Sequence, residues 1–338
     1  SGKGRLQGTP QAPRLTAQLA GDELRYRSDS IGKLQLEASV DVAGNQASNL
    51  QVLLSNNRLA GSDIDTFNLT GSGYPQAHSL QLAVAGSGHT ANMAVDGSWL
   101  RETWTYTLRQ AEISPQGLAA WNLRQAVTGH VSATRANLPQ TCWSDSRSNI
   151  CLQGNMTETG REAAFRLQDL PLDALAGLLP AGMQLQGRLN GRGNYQQHNA
   201  APATAHAELT TTAGELSVIN ESTEPDTLLA FAPGSMTLDL DAQLARLELA
   251  LPLQANAGTL AGHAKINASR QGWADGSLTG KVLVRLPDIA FAGQLLPDVS
   301  DLHGRLDGEI SFSGTVAAPR LQGNLLLSGG QAQLDTPG

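Results

Sequence analysis

The feature that most constrains the fold of this chain is a strict alternation of apolar and polar residues. In one segment Met236, Leu238 and Leu240 alternate with Thr237 and Asp239. A period of two places successive side chains on opposite sides of a strand, so each such segment predicts a β-strand with one apolar face and one wet face. Similar segments are found at 34–42, 50–54, 80–84, 104–108, 247–253, 282–286, 306–312 and 321–327. The apolar phase changes before Leu247, which predicts a slip of the strand at Ala245 and Arg246.

Turn signals separate these segments at short intervals, as at residues 43–45, 55–57 and 85–88. This spacing predicts antiparallel meanders rather than βαβ units. At about 12 to 15 residues per strand and turn, roughly 22 to 28 strands are expected, which stacked in one sheet would extend over roughly 100–130 Å. The apolar face of such a sheet must be covered by a second sheet, closed into a barrel or curled into a trough.

The low aromatic content disfavours one of these three solutions, the barrel in a membrane. Membrane barrels carry aromatic girdles at both interfaces, and Phe, Trp and Tyr make up only 4% of this chain. A continuous register of repeats favours an elongated sheet, but composition leaves the sandwich and the trough open.

Internal repeats add a second, much longer periodicity to the sequence. Leu178-Leu179-Pro180 and Gly187-Arg188-Leu189-Asn190-Gly191 return 117 residues later as Leu295-Leu296-Pro297 and Gly304-Arg305-Leu306-Asp307-Gly308. A motif at Gly8–Leu15 also returns at Gly314–Leu321, at an interval of 306 residues that is not a multiple of 117. A fixed offset indicates one structural unit laid down more than once, which presents an extended surface rather than a single pocket.

Two short amphipathic helices are predicted, one per repeat. Residues 172–179 and 289–296 each carry apolar residues at helical spacing between prolines. Each helix is expected either to brace the apolar face or to cover local core as an ordinary surface helix.

The two cysteines, Cys142 and Cys151, flank a polar, turn-like segment. A hairpin disulfide is the favoured interpretation, and it implies an oxidising compartment. Two unpaired thiols are the alternative. A zinc site is disfavoured because such a site needs three or four ligands and no histidine lies nearby in the sequence.

Motifs for catalysis and cofactors are absent from the sequence. The seven histidines are dispersed without metal-ligand spacing, and there is no nucleophile elbow, P-loop or dinucleotide fingerprint. We therefore expect no enzyme, no catalytic residue, no metal and no cofactor. The net charge of −7 argues against a nucleic-acid partner.

Residues 304–323, Gly-Arg-Leu-Asp-Gly-Glu-Ile-Ser-Phe-Ser-Gly-Thr-Val-Ala-Ala-Pro-Arg-Leu-Gln-Gly, resemble the TamB family of AsmA-like repeating β-groove proteins. The block from Leu167 to Pro180, the segment 160–170 and the strand after Gly71-Ser72-Gly73 resemble it too. The resemblance implies an all-β fold, an elongated curved antiparallel sheet shaped like a half-pipe with an apolar inner face and a few short helices.

The resemblance also implies a place and partners. It implies a periplasmic location for an internal fragment of a protein anchored in the inner membrane by an N-terminal helix that the fragment lacks. It implies an Omp85-type outer-membrane barrel (TamA) as partner of the full-length protein, and roles in outer-membrane protein assembly and phospholipid movement.

Three segments are expected along the chain: a β-groove segment at 1–168 with the Cys142–Cys151 hairpin, a repeat unit at 169–285, and the start of the next unit at 286–338. The first functional hypothesis is a lipid conduit in which phospholipid acyl chains contact the apolar face. The predicted groove-lining residues are Leu36, Val40, Leu80, Leu82, Val84, Leu238, Leu240, Leu249, Leu251, Val282, Val284, Ile310, Phe312, Leu325 and Leu327.

The second hypothesis is a scaffold that assembles or inserts outer-membrane β-barrel proteins or autotransporters, with nascent chains pairing to exposed sheet edges. An adhesin-like β-solenoid is a weaker third, because its repeats of about 20 to 30 residues are much shorter than 117.

Overall fold

The computed structural model describes residues 1–9, 12–27, 29–59, 62–117, 119–174, 179, 182–199, 201–219, 225–254, 258–270, 272–290 and 299–334. These residues form 24 β-strands, and every ladder assigned between them is antiparallel. The prediction of an all-β chain built from antiparallel meanders is therefore confirmed. The chain divides into two compact units, which we call unit 1 (Ser1–Glu158) and unit 2 (Thr159–Gly338).

Unit 1 holds the first twelve strands. They are β1 (Gly2–Thr9), β2 (Ala12–Tyr26), β3 (Asp29–Asp41), β4 (Ser48–Leu59), β5 (Ser62–Tyr74), β6 (Ala77–Gly86), β7 (His89–Leu100), β8 (Thr103–Ser114), β9 (Trp121–Leu123), β10 (Val127–Val131), β11 (Ala136–Ser144) and β12 (Asn149–Thr157). Strands β1 to β8 pair in chain order. The short strands β9 and β10 both pair with β8 and with β11, so together they occupy one strand position between those two.

Unit 2 holds the other twelve strands. They are β13 (Gly160–Pro171), β14 (Met183–Gln186), β15 (Arg188–His198), β16 (Thr204–Thr211), β17 (Gly214–Ile219), β18 (Pro225–Phe231), β19 (Ser235–Asp241), β20 (Leu244–Pro252), β21 (Thr259–Ser269), β22 (Gly272–Leu286), β23 (Val299–Gly314) and β24 (Pro319–Leu334). Nine of these pair as a meander in the order β13, β15, β16, β19, β20, β21, β22, β23, β24. The remaining three, β14, β17 and β18, form a separate small sheet.

The two ends of the unit 2 meander differ in the length of their connections. Short turns join β15 to β16, β19 to β20, β21 to β22 and β23 to β24 at one end. Long connections leave β13, β16, β20 and β22 at the other end, and two of them contain the strands of the small sheet. Extra chain in this unit is therefore concentrated at one end of the strands.

One predicted detail is wrong. The phase change before Leu247 is a hairpin turn at Ala242 and Gln243, not a slip at Ala245 and Arg246. Ala242 has a positive φ of 51°, a conformation that the turn imposes without the glycine or asparagine that usually marks it.

The offset of 117 residues recurs in the backbone of unit 2. The Leu172 N–H donates to Gly187 O over 3.0 Å, and the Ile289 N–H donates to Gly304 O over 2.9 Å. Both glycines have a positive φ, 134° and 144°, which side-chain-bearing residues rarely adopt. The repeated Gly-Arg-Leu motif therefore begins at the same kind of backbone turn in both copies.

The predicted segment boundaries at 168 and 285 and the helices stay predictions. Residues 172–174 form a single 3₁₀ turn, while 175–178 and 291–298, where most of the two predicted helices fall, lie outside the described residues.

The predicted disulfide is present between Cys142 and Cys151. The two residues are direct cross-strand partners in β11 and β12, with their Cα atoms 4.0 Å apart. The thiols therefore meet because the hairpin register places them opposite each other.

Candidate functional site

The register of unit 1 gathers its apolar residues on one side of the sheet. Across five neighbouring strands Leu36 pairs with Val52, Val52 with Leu69, Leu69 with Leu82, and Leu82 with Met93. Side chains in register lie on the same side, and adjacent strands are about 4.8 Å apart, so this row is a continuous apolar strip. We call this side the apolar face of unit 1. The predicted residues on it are Leu36, Val40, Leu80, Leu82 and Val84.

Unit 2 repeats this arrangement. Leu249 pairs with Gly262, Gly262 with Val282, and Val282 with Ile310. We call this side the apolar face of unit 2. The predicted residues on it are Leu238, Leu240, Leu249, Leu251, Val282, Val284, Ile310, Phe312, Leu325 and Leu327.

Most of these apolar side chains are only partly covered. All five predicted residues in unit 1 are half-buried, and in unit 2 Leu325 is 58% exposed. In unit 2 a glycine next to a leucine, as at Gly308 opposite Leu325, leaves room for the larger side chain to lie across its neighbour. The apolar faces are thus two-dimensional arrays of half-covered aliphatic groups.

The opposite side of each sheet, the polar face, carries amides, hydroxyls and charges. In unit 1 an open concavity of about 780 Å³ lies on this side across β1 to β6. Its lining includes Gln18, Glu37, Gln51, Thr70 and Gln81, one from each of five consecutive strands. This concavity is therefore distinct from the predicted apolar site.

An ion-pair network crosses three strands on the polar face of unit 2. His206 Nδ1 lies 2.7 Å from Asp239 Oδ1, and its Nε2 lies 3.2 Å from Glu208 Oε1. Arg192 Nη2 lies 2.7 Å from Glu208 Oε2. The hydrogen bonds to Asp239 and then Glu208 raise the pKa of His206, and the one from Arg192 is the main cause that lowers the pKa of Glu208.

A buried cluster covers one end of the apolar face of unit 2. Leu172, Phe231 and Leu253 are 4%, 4% and 7% exposed and pack together. All three come from the long connections or their borders, and the small sheet of β14, β17 and β18 contributes to the packing. We call this cluster the cap. The partly buried residues packed against it are Leu185, Leu189, Leu229, Leu251 and Leu286.

The cap separates two of the predicted groove residues. Leu251 packs against the cap, whereas Leu249, two residues earlier on the same strand and the same side, is not among the residues of that cluster. Covered and open parts of one face therefore meet within β20.

An aromatic corner interrupts the apolar face of unit 1. His78 and Tyr106 each pair with Gly97, and a Cβ at Gly97 would overlap His78 Nε2 and Trp104 Nε1. The indole N–H of Trp104 donates to His78 Nε2 over 3.0 Å, and the Tyr106 hydroxyl donates to Asn137 O over 3.1 Å. Burial raises the pKa of Tyr106. The glycine thus makes room for hydrogen-bonded aromatic rings in an otherwise aliphatic surface.

The corner was missed at the sequence level, although a signal existed. His78 falls in the same alternating phase as Leu80, Leu82 and Val84, which places it on the apolar face. At the sequence level the histidines were considered only as possible metal ligands. A histidine in the apolar phase of a strand needs a polar partner, which Trp104 supplies here.

The described residues contain no group of three or more His, Cys, Asp or Glu placed to hold a metal ion. They also contain no helix of sufficient length and hydropathy to cross a membrane.

The family of this chain follows from its similarity to known proteins. The profile of the TamB N-terminal domain matches residues 1–327. The chain belongs to the TamB family. The resemblance first drawn from residues 304–323 is therefore confirmed.

One relative of this TamB-family chain is the translocation and assembly module subunit TamB of Haemophilus influenzae. The two are 23% identical over 337 residues, which cover 95% of this chain and 25% of the relative. The chain thus spans about a quarter of the length of that relative. No solved structure matches the chain. Proteins of the TamB family are non-enzymatic components of a translocation and assembly module. This agrees with the expectation from the sequence that the chain is not an enzyme.

Proposed function

We propose that this chain is a periplasmic segment of a bridge between the inner and outer membranes, whose apolar faces carry phospholipid by contact with its acyl chains. The observation that carries the proposal is the register, because it aligns leucine, valine, isoleucine and phenylalanine in rows across neighbouring strands. The proposal includes a role in outer-membrane biogenesis and assigns no catalytic residue.

The energetics favour a mobile acyl chain over a fixed ligand. Each buried methylene contributes about 0.8 kcal/mol, so an acyl chain gains stability from any stretch of the aliphatic rows. The rows offer few hydrogen-bonding groups that would hold a head group at one position, with the aromatic corner of unit 1 as an exception. Sliding between equivalent leucines therefore changes the binding free energy little.

Family membership supports the location and partners in this proposal. The relative is named as a subunit of a translocation and assembly module. We infer that the full-length protein is held in the inner membrane by an N-terminal helix and works with the Omp85-type barrel TamA. The disulfide between Cys142 and Cys151 supports an oxidising compartment such as the periplasm.

Site-specific photocrosslinking tests the conduit. A photoreactive residue at Leu249 or Phe312, on the apolar face of unit 2, should capture phospholipid in cells. Matched positions on the polar face, Asp239 and Glu309, should not. Leu251 should capture less than Leu249 because it packs against the cap. Capture from Asp239 or Glu309 alone would refute the conduit.

A second candidate function is a scaffold for outer-membrane proteins, and it is favoured by the name of the relative, a translocation and assembly module subunit. In this function a strand of a nascent barrel protein pairs with a strand edge of the sheet. Crosslinks from Asn324 to nascent barrel proteins, with no lipid captured at Leu249 or Phe312, would favour the scaffold over the conduit.

A further inference from the structure

One end of the strands in unit 1 presents exposed, bulky apolar side chains at successive hairpin connections. They lie at the β3–β4, β5–β6, β7–β8 and β10–β11 connections, which all fall at the same end because each strand runs antiparallel to its neighbour. We call this set the apolar rim. Its members are Val42 (54% exposed), Tyr74 (45%), Trp99 (50%), Leu100 (57%) and Val131 (39%).

Neighbouring connections of the apolar rim touch one another. The Trp99 N–H donates to Pro75 O over 2.7 Å, which joins the third connection to the second. A Cβ at Gly44 would lie 3.4 Å from Pro75 Cδ, which brings the first connection against the second. Trp104 pairs with both Trp99 and Val131 and so links the third connection to the fourth. The four connections that carry the rim therefore lie side by side along one end of the strands.

The charges at the apolar rim are few and mixed in sign. Its connections carry the adjacent pair Arg101 and Glu102 and the cation Arg135, and the buried Asp41 ends β3. Thr134, in the fourth connection, donates a hydrogen bond to Glu158 over 3.0 Å. The rim therefore holds two cations and three anions.

The two units differ in net charge as well. Unit 1 contains 12 Lys and Arg and 12 Asp and Glu, whereas unit 2 contains 11 and 18, so the whole net charge of −7 lies in unit 2. Anionic lipids give a membrane surface a negative potential, which repels an acidic surface and leaves a neutral one unaffected. The charge distribution therefore favours contact of a bilayer with unit 1.

The side chains of the rim fit a bilayer surface. Trp and Tyr are enriched where hydrocarbon meets water, because each ring has an apolar body and a polar group. Aliphatic neighbours add area that can be buried at the boundary between head groups and acyl chains. We propose that the apolar rim of unit 1 inserts into the surface of a lipid bilayer.

The rim is continuous with the apolar face of unit 1. Trp99 and Val131 pair with Trp104, in the row next to that of Tyr106 and Gly97 in the aromatic corner. Resting on the proposed function, this continuity makes the rim the place where a phospholipid passes between a bilayer and the apolar face. The bilayer contact itself depends on different residues from the conduit.

Vesicle flotation tests the contact. The chain of residues 1–338 should float with vesicles of phosphatidylethanolamine containing a minor fraction of phosphatidylglycerol. Trp99→Ser with Leu100→Ser should weaken this binding about tenfold or more, because two half-exposed apolar groups no longer insert. The matched control, Leu24→Ser with Tyr26→Ser, changes residues that are 42% and 70% exposed at the opposite end and should bind as the unchanged chain does.

Tryptophan fluorescence gives a second measurement of bilayer insertion, with a substitution that should leave the fold unchanged. Phospholipid brominated on its acyl chains should quench the tryptophan emission of the unchanged chain, and Trp99→Phe should remove a large part of that quenching. Circular dichroism of each variant checks that the strands are retained.

The proposed bilayer contact would be refuted if the unchanged chain did not float with vesicles, or if the rim and control variants floated equally. It would also be refuted if the rim variant changed its oligomeric state but bound vesicles as before, because the rim would then be a contact between copies. Failure of the conduit is separate, since lipid capture at Leu249 and Phe312 is measured in unit 2.

Discussion

Units 1 and 2 are built from the same alternating strands but cover their apolar faces differently. In unit 2 the buried side chains Leu172, Phe231 and Leu253 form the cap, which comes from connections between strands and their borders. In unit 1 the buried hydrophobic side chains that the structure describes, such as Leu108 and Val127, belong to strands of the sheet itself. Alternation therefore sets which side of a sheet is apolar, and the connections set how much of it stays open.

The same difference divides the roles proposed for the two units. The open, neutral rim of unit 1 is suited to contact with lipid, whereas the acidic unit 2 offers an apolar face closed at one end. We therefore expect unit 2, with its buried cap, to depend more on its apolar side chains for stability, and unit 1 to leave its apolar side chains more accessible. Four perturbations test this contrast.

The largest effect is expected in the cap. Phe231→Ala removes a 4%-exposed ring and should lower the free energy of unfolding of unit 2 by about 3–5 kcal/mol, the usual range for such cavities. Leu36→Ala on the half-buried apolar face of unit 1 should cost less than half as much. Hydrogen exchange of peptides from β17 and β18, compared with β3 and β4, measures both. Equal losses would contradict the contrast.

The disulfide acts on unit 1 alone, because both cysteines of the chain lie there. Reduction, or Cys142→Ser with Cys151→Ser, should destabilise unit 1 by about 2–3 kcal/mol in the chain-entropy model for so short a loop. Hydrogen exchange should rise in β11 and β12 and stay unchanged in β17 and β18. Faster exchange in β17 and β18 would show that the two units do not respond independently.

The aromatic corner should tolerate no side chain at Gly97. Gly97→Val places methyl groups onto His78 and Trp104 and should destabilise unit 1 by about 1–3 kcal/mol through overpacking. Near-ultraviolet circular dichroism reports the displaced indole ring. Gly4→Ala is the matched control, since its nearest contact would be Thr16 O at 3.8 Å. An unchanged spectrum for Gly97→Val would mean that the corner is loosely packed.

The smallest effect is a pH dependence confined to unit 2. The pKa of His206 is raised in the folded state, so protonated His206 adds stability that is fully present below its unfolded pKa of about 6.5. That stability is lost as the pH rises through the folded value. The protection of amides in β16 and β19 from hydrogen exchange, corrected for the intrinsic pH dependence of exchange, should therefore fall slightly from about pH 6 to about pH 8. His206→Gln should abolish the change, while His263→Gln on the same polar face should keep it.

Alternation was sufficient to predict the strands and the sides that they present. All fifteen predicted apolar residues fall on one apolar face in their own unit, because a period of two depends only on neighbouring residues. The turn at Ala242 was misplaced because no glycine or asparagine marks it. Asp241, directly before the turn, is a turn-favouring residue, but it also fits the polar side of β19.

The cap could not be predicted because its parts are distant in sequence. Leu172, Phe231 and Leu253 come together only after the register of the β13–β20 meander has brought their connections to one end. Nothing within a window of a few residues encodes that meeting. The prolines near residues 171 and 180 predicted a covering element there, but not what it covers.

The chain-order pairing of β1 to β8 has a mechanical consequence for a protein under tension. Bonds between antiparallel strands run across the strands, so a pull applied across the sheet loads one hairpin at a time. Such a meander lengthens in steps of one strand at low force rather than resisting as one body. The covalent link between Cys142 and Cys151 withholds the loop between them from that extension, because the force passes through the sulfur atoms instead of the enclosed residues.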